Sequence, residues 1–230
     1  MSHFVEHQPC PKCGSKDNLG EYTDHWFCFG CKYTKRKNDI HSIRERLNRT
    51  NMTDKEVQML DNFSEIPRKA MQWLLSYGIS KEEIDEHGIT WSNTNQLLVL
   101  IQSAKYWQGR SFDKTKPKYM SSGQKPYTIY GEGKTLVLVE DVVSAMKVCR
   151  LRGDFCAMPL LGSTLSYESE QRLITEFSEV CIWLDRDKAI NALKIKRRLK
   201  ARGVDSRVIV TDNDPKEYSK GEIQEWLKSK

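Results

Sequence analysis

Hydrophobic residues in this chain fall into short unbroken runs, separated by stretches in which they recur every third or fourth position. The runs 135–139 (Thr-Leu-Val-Leu-Val) and 180–184 (Val-Cys-Ile-Trp-Leu) show no polar alternation. Such runs mark strands covered on both faces, as in the parallel sheet of an α/β layer. Shorter runs at 155–158 and 207–210 have the same character, and 141–151, 167–177 and 189–201 between them are compatible with helices. In the last, Ala192, Ile195 and Leu199 form the inward stripe, Ser166 caps the middle one, and Gly153 and Gly203 are stops. A final helix is expected at 222–228. Strands alternating with helices of about a dozen residues predict a parallel sheet.

Upstream the pattern is mixed. Ser64 and Pro67 open a helix that Gly78 ends, and Ser80 caps a second helix closed by Gly88. Strand signals follow at 96–102 and 104–112. The stretch 113–131 is rich in lysine and turn residues and leads into the first buried strand.

The buried runs end in acids. Glu140 follows the first, and Asp185 and Asp187 follow the second. In extended backbone, positions 185 and 187 leave the same side of the chain. Parallel strands present their carboxyl ends together, where open α/β folds hold ligands. Three carboxylates brought there repel one another unless a cation neutralises them, and all-oxygen ligands suit Mg²⁺. A helix N-cap would explain one of the two aspartates but not the pair. The run at 207–210 also leads into acids, Asp212 and Asp214.

The amino-terminal segment has a different chemistry. Cys10 and Cys13 form one C-x-x-C, Cys28 and Cys31 another, with 14 residues between the pairs. Each pair offers two thiolates from one tight turn, the knuckle that tetrahedral Zn²⁺ requires, and Gly14 and Gly30 suit those turns. A closed four-cysteine site leaves no open coordination position, so this zinc is expected to be structural. Tyr22, His25, Trp26, Phe27, Phe29 and Tyr33 crowd the same segment beside Lys12, Lys16, Lys32 and Lys35. Some must fill the small core, and the remainder suit stacking on unpaired bases. Cys149, Cys156 and Cys181 lie in apolar elements and read as core residues.

The 230 residues carry a net charge of +6, 30% charged and 38% hydrophobic residues, enough for a packed core and a small module. Seven cysteines, four of them clustered, favour metal binding in a reducing compartment over a disulfide framework. Nothing resembles a signal peptide or a membrane span, so a cytoplasmic protein is expected, in the host cytoplasm if viral. Residues 32–50 hold seven Lys or Arg against two acids and read as a basic linker with a short helix at 39–47. The expected domains are a zinc ribbon at 1–36, a linker at 37–61, an α+β part at 62–131 and a parallel-sheet part at 132–230.

Taken in order, these pieces resemble a DnaG-type primase, and most closely the primase half of bacteriophage primase-helicases. Val139-Glu140 resembles the glutamate motif of the Toprim fold and Asp185-Arg186-Asp187 its D-x-D motif. Cys10, Cys13, Cys28 and Cys31 match the family's ribbon. Tyr77-Gly78-Ile79-Ser80, Gly109-Arg110, Pro117-Lys118-Tyr119, Ile129-Tyr130-Gly131, Leu161-Gly162 and Asp214-Pro215-Lys216-Glu217 resemble phrases between and after them. Asp141 stands where the family usually has glycine, which adds a carboxylate beside Glu140.

The resemblance implies an α/β protein: a four-cysteine ribbon, then a two-part RNA polymerase domain whose carboxyl-terminal part is Toprim-like. It implies metal-dependent synthesis of short RNA primers on single-stranded DNA from ribonucleoside triphosphates. Glu140, Asp185 and Asp187 become the catalytic residues, and Asp214 joins them in holding Mg²⁺ or Mn²⁺. Glu140 is either a ligand or the acceptor of the attacking hydroxyl's proton. Arg110 and Lys118 resemble the residues that hold template or incoming nucleotide, with Lys105, Lys114 and Lys116 as weaker candidates. Asp24, His25 and Trp26 match the template-reading part of the ribbon. No G-x-x-x-x-G-K-S/T loop occurs, so a helicase partner is expected on a separate chain. Two other classes compete: a Toprim-type nuclease, and a non-catalytic DNA-binding recombination mediator.

Overall fold

The structure, a computed structural model, describes residues 3–36, 57, 59–151 and 153–229. The chain divides into two compact units, Met1–Glu56 and Val57–Lys230. Most of the expected basic linker, including the helix at 39–47, lies outside the described residues.

The first unit is an antiparallel sheet of β1 (Phe4–Gln8), β2 (Leu19–Tyr22), β3 (His25–Cys28) and β4 (Thr34–Arg36), in that order. Its buried centre is small: Cys10, Leu19 and Cys28, with Trp26, Cys31 and Tyr33 packed against them. So little apolar area cannot offset the entropy of ordering the chain, so a cross-link such as a metal is required.

The second unit begins with an antiparallel meander. Its strands are β5 (Phe63–Ser64), β6 (Thr90–Ser92), β7 (Leu97–Ser103), β8 (Tyr106–Ser111) and β9 (Tyr119–Gly123), hydrogen-bonded in sequence order. Helices α1 (Arg68–Ser76) and α2 (Lys81–Glu86) lie between β5 and β6. Ser80 and Glu83 form a reciprocal capping box at the start of α2. Pro67 immediately precedes α1, and Ser64 sits in β5 rather than opening the helix. Strand β9 falls inside the stretch read as turns from sequence. Serine and glycine at its exposed end mask a five-residue pairing with β8 that Tyr119 and Met120 anchor.

The remainder is a parallel sheet in the order β11-β10-β12-β13, from β10 (Thr135–Val139), β11 (Phe155–Pro159), β12 (Glu179–Ile182) and β13 (Asp205–Val208). The connecting helices are α3 (Val142–Cys149), α4 (Tyr167–Glu176) and α5 (Ala189–Lys200), and α6 (Lys220–Lys228) closes the described chain. Side chains of β10 alternate between two cores, as the period of two demands. Val137 and Val139 join α3, α6 and residues of the meander, including Leu98 and Tyr106. Leu136 and Leu138 join Leu173 of α4 and Ala192, Ile195 and Leu199 of α5. Both faces are therefore covered, which is why these strands read as continuous apolar runs.

This strand order fixes where a ligand binds. The chain runs from β10 outward to β11, then returns across β10 to β12. The connection direction reverses between β10 and β12, and the crevice at the carboxyl ends of that pair is the topological switch point. Glu140 and Asp185 follow those two strands. Among the described residues no helix is long and apolar enough to cross a membrane.

Candidate functional site

In the ribbon the four cysteine Sγ atoms lie within 4.8 Å of one another. Cys10 and Cys31 are 3.7 Å apart, as are Cys13 and Cys28. Four Zn–S bonds of about 2.3 Å in a tetrahedron require S···S separations near 3.8 Å, so the donor set fits zinc. The first knuckle turns through Gly14 at φ 71°, where glycine costs nothing. In the second, the left-handed residue is Lys32 at φ 57°, not Gly30 as the sequence pattern suggested. Gly30 instead leaves room for Asn18, whose Nδ2 would lie 3.1 Å from an added Cβ.

Of the ribbon residues singled out from sequence, His25 stacks on Tyr22 at 4.6 Å and pairs through Nδ1 with Asp24 at 2.8 Å. Trp26 is half-buried beside the cysteines, with the Lys35 ammonium 6.0 Å from its ring. Phe4 and His7 complete an aromatic row that sequence reading missed. Ring contacts run from Phe29 through His7 and Phe4 to Tyr22 and His25, and Phe29 is 55% exposed.

The second unit holds a cavity of about 270 Å³ at the switch point. Glu140, Asp141, Asp185, Asp214 and Lys216 line it from the parallel sheet, and Gln108, Lys118 and Tyr119 from the meander. Glu140 is held by backbone on both sides: Leu160 N–H donates to the Val139 carbonyl at 2.8 Å, and Gly162 N–H to that of Glu140 at 3.1 Å. This folds the loop after β11 over the end of β10 and keeps Leu161 at φ 51°. A left-handed leucine costs roughly 1–2 kcal/mol, strain of the kind found at functional sites.

Asp141 caps α3, accepting from Ser144 N–H at 2.8 Å. Its other oxygen accepts from Lys216 Nζ at 2.7 Å, and the same ammonium donates to Asp214. The loop carrying Asp214 is anchored from the core. Trp183 Nε1 donates to the Thr211 hydroxyl at 2.7 Å, which donates to the Asn213 carbonyl at 2.7 Å.

Asp185 and Asp187 are not related as the extended-strand argument requires. Lys188 N–H donates to the Asp185 carbonyl at 2.8 Å, so the chain enters a 3₁₀ turn at Arg186–Lys188. Asp185 stays at the pocket while Asp187 lies on the turn, 67% exposed and paired with Lys188. Asp212 is further out, 80% exposed and bridged to Arg186.

Burial pushes the Asp185 carboxyl up to about 8, helped by Asp214 and Glu140. Glu140 is also raised, by burial and then by the charge on Asp214. Burial acts upward on Asp214 too, but its hydrogen bonds with Asp185 and Lys216 outweigh that and lower it. Of the two, Asp185 therefore holds a proton more readily and Asp214 stays charged more readily. Burial works against the charge on Lys216, yet Asp141 and Asp214 raise its affinity for the proton.

The Oε1 atom of Glu140 is buried with no hydrogen-bond partner. An orphaned carboxylate oxygen beside two further carboxylates is a donor set suited to a hard divalent cation. The carboxylates are spread more widely than the thiols. Among the described residues only the cysteines bring three or more potential ligand atoms all within 4.8 Å.

Of the basic candidates, Lys118 reaches the cavity, with Nζ 5.7 Å from the Tyr119 ring. The Arg110 guanidinium is stacked 4.2 Å from Trp73 and 5.4 Å from both Phe112 and Tyr119, and donates to the Tyr119 hydroxyl at 3.2 Å. Lys105, Lys114 and Lys116 are exposed and outside the cavity lining. Lys216, Tyr119, Gln108 and Trp73 were not assigned a role from sequence. Lys216 lies inside a quoted motif, but its partner Asp141 is too far away in the chain for spacing to reveal the contact.

No protein-family model and no curated protein matches this chain. Among solved structures, it is similar to the zinc-binding and RNA polymerase domains of the Aquifex aeolicus primase. The TM-score is 0.56 at 15% identity, over 98% of this chain and 78% of that one. A DnaG catalytic core and a DnaG primase catalytic domain bound to single-stranded DNA are matched at a TM-score of 0.46, with 15% and 16% identity, over 81% of this chain and 72% and 70% of theirs. The fold is that of a DnaG-type primase: an α/β chain with a four-cysteine ribbon followed by a unit that ends in a parallel sheet.

Proposed function

We propose that this protein is a DNA primase that builds short RNA primers on single-stranded DNA from ribonucleoside triphosphates. The observation that carries this reading is the convergence of Glu140, Asp185 and Asp214 at the switch point of a primase-like fold, with Lys118 facing them across one cavity. The parallel-sheet part is then a Toprim domain, and Asp187 joins the acids through the turn after Asp185. A Mg²⁺ or Mn²⁺ ion bound by these carboxylates lowers the pKa of a hydroxyl and neutralises charge on phosphates.

In the reaction, the 3′ oxygen of one nucleotide bonds to the α-phosphorus of the next, the bond to pyrophosphate breaks, and the hydroxyl proton is released. Glu140 presents an unpartnered oxygen to the cavity and serves as ligand or as acceptor of that proton. Lys118 holds phosphate as a point charge, while Arg110, stiffened by its aromatic neighbours, presents a planar guanidinium. Lys105 and Lys116 add a more distant positive field along the template.

The zinc-bound ribbon reads the template. Its aromatic row, with His25 stacked on Tyr22 and Trp26 beside Lys35, offers ring faces to unpaired bases, and Asp24 fixes the His25 ring. We place its action in the cytoplasm, beside a replicative helicase.

Incubation with single-stranded DNA, labelled ribonucleotides and Mg²⁺ tests the assignment. Primer-length RNA is expected. Shortened DNA without RNA would point to a nuclease, and binding without either reaction to a mediator.

A further inference from the structure

We infer that Lys216 is a built-in cation of the acidic pocket, filling the place of one divalent ion, so that the pocket binds a single metal ion on its Glu140 side. The inference rests on the primase reading of this pocket and specifies how many metal ions it uses.

Four carboxylates line the cavity, and they are not equivalent. Asp141 and Asp214 are both bonded to the Lys216 ammonium, Asp141 at 2.7 Å. That lysine side chain is only 10% exposed, and its Nζ lies 6.0 Å from the Tyr77 ring. Glu140, by contrast, keeps a buried oxygen with no hydrogen-bond partner. Asp185 forms no ion pair among the described residues; its carboxyl meets that of Asp214, and Glu140, Lys216 and Lys188 act on it only through their charges. One half of the pocket therefore already contains a bonded cation, whereas in the other the Lys188 ammonium is bonded to the exposed Asp187 and reaches Glu140 and Asp185 only through its charge.

An ammonium carries three donors and a compact charge, so it can replace an ion that two carboxylates would otherwise share. A metal ion entering between Asp141 and Asp214 would have to expel a buried, doubly paired lysine into water, breaking two charge-assisted bonds. An ion entering at Glu140 and Asp185 displaces no bonded ammonium, only the proton held at Asp185. Once a metal ion has displaced the proton held at Asp185, four carboxylates against Lys216 and Lys118 leave two negative charges, enough to balance one divalent ion but not two. Lys216 also fixes Asp214, which in turn meets Asp185, so it orients a proposed metal ligand without touching the metal. It is a positioning residue. Lys118, the other lysine in the cavity, makes no ion pair among the described residues and remains available for substrate phosphate.

The test counts tightly bound Mn²⁺ ions by electron paramagnetic resonance on the full chain with zinc already loaded, without measuring activity. Wild type is expected to bind one ion, and Glu140→Gln to lose it. Lys216→Met is expected to bind two, because Asp141 and Asp214 are freed, whereas Lys216→Arg keeps a cation and stays at one. Two ions in wild type, or a single ion in a folded Lys216→Met protein, would overturn the inference while leaving the primase reading intact. If Lys216→Met does not fold, as judged by circular dichroism, the counts for wild type and Lys216→Arg decide, and two ions in either rejects it. No Glu140-dependent ion in wild type would remove the metal site altogether, and with it both readings.

Discussion

Asp185 and Asp214, carried on the loops after two neighbouring parallel strands, meet carboxylate to carboxylate in the pocket. Such a contact costs stability unless a proton or a cation lies between the two groups. The pocket is thus strained in the direction that cation binding relieves.

At neutral pH Asp185 is ionised in the unfolded chain and must take up a proton in the folded pocket, a cost that an amide removes. Asp185→Asn is expected to raise the melting temperature of the protein by a few degrees without added Mg²⁺, and to abolish nucleotide transfer. Thermal unfolding with and without Mg²⁺ checks this. Mg²⁺ should stabilise wild type and leave the variant unchanged.

Acid sensitivity is expected elsewhere, at the junction of α2 and α3. Arg150 donates to both oxygens of Glu83, at 2.6 and 2.7 Å, and to the Gly78 carbonyl at 2.8 Å. Burial works against the Glu83 charge, but Arg150 and the Ser80 cap outweigh it and hold the carboxyl below its ordinary value of 4.5. A depressed carboxylate contributes stability above pH 4.5 and loses it as pH falls through the folded-state value. Arg150→Met should cost about 1–3 kcal/mol at neutral pH. Urea titrations should show the gap between the two proteins closing as pH drops below 4.5, where Glu83 takes up a proton in both.

Arg110 should matter for both packing and binding. Arg110→Ala removes a guanidinium stacked on Trp73 and is expected to weaken single-stranded DNA binding about tenfold at low salt, with a shallower salt dependence. Arg110→Lys keeps the charge but loses the planar stack, and should fall between the two. Fluorescence anisotropy across a salt series measures both effects.

The ribbon depends on its metal. One zinc per chain is expected by atomic absorption, and Cys28→Ser should release it and unfold β1 to β4, because the apolar centre there is too small to stand alone. Unit 57–230 should retain its own melting transition. Initiation on template should fall further than extension of a preformed primer. Equal loss of both would contradict a template-reading role.

What sequence alone could reveal follows from what each element must do. Strands β10 and β12 were legible because burial on both faces leaves an unbroken apolar run, and the cysteine spacing was legible because a knuckle has only one geometry. Strand β9 was hidden, since an edge strand of serine and glycine gains its structure from β8 rather than from its own propensity. The direction of Asp187 was not legible because the argument from alternation assumed that the strand continued, whereas the backbone turns at Arg186. Lys216 was quoted but given no role, because its bond to Asp141 joins segments far apart in the chain and depends on the strand order around β10.

The most direct test of the central claim is RNA synthesis on single-stranded DNA templates that together contain every trinucleotide, with labelled ribonucleotides and Mg²⁺, comparing wild type with Glu140→Gln and Asp185→Asn. Short RNA on a subset of templates, lost in both variants, is the predicted result. No RNA from wild type on any template, even with replicative helicases added, would contradict it.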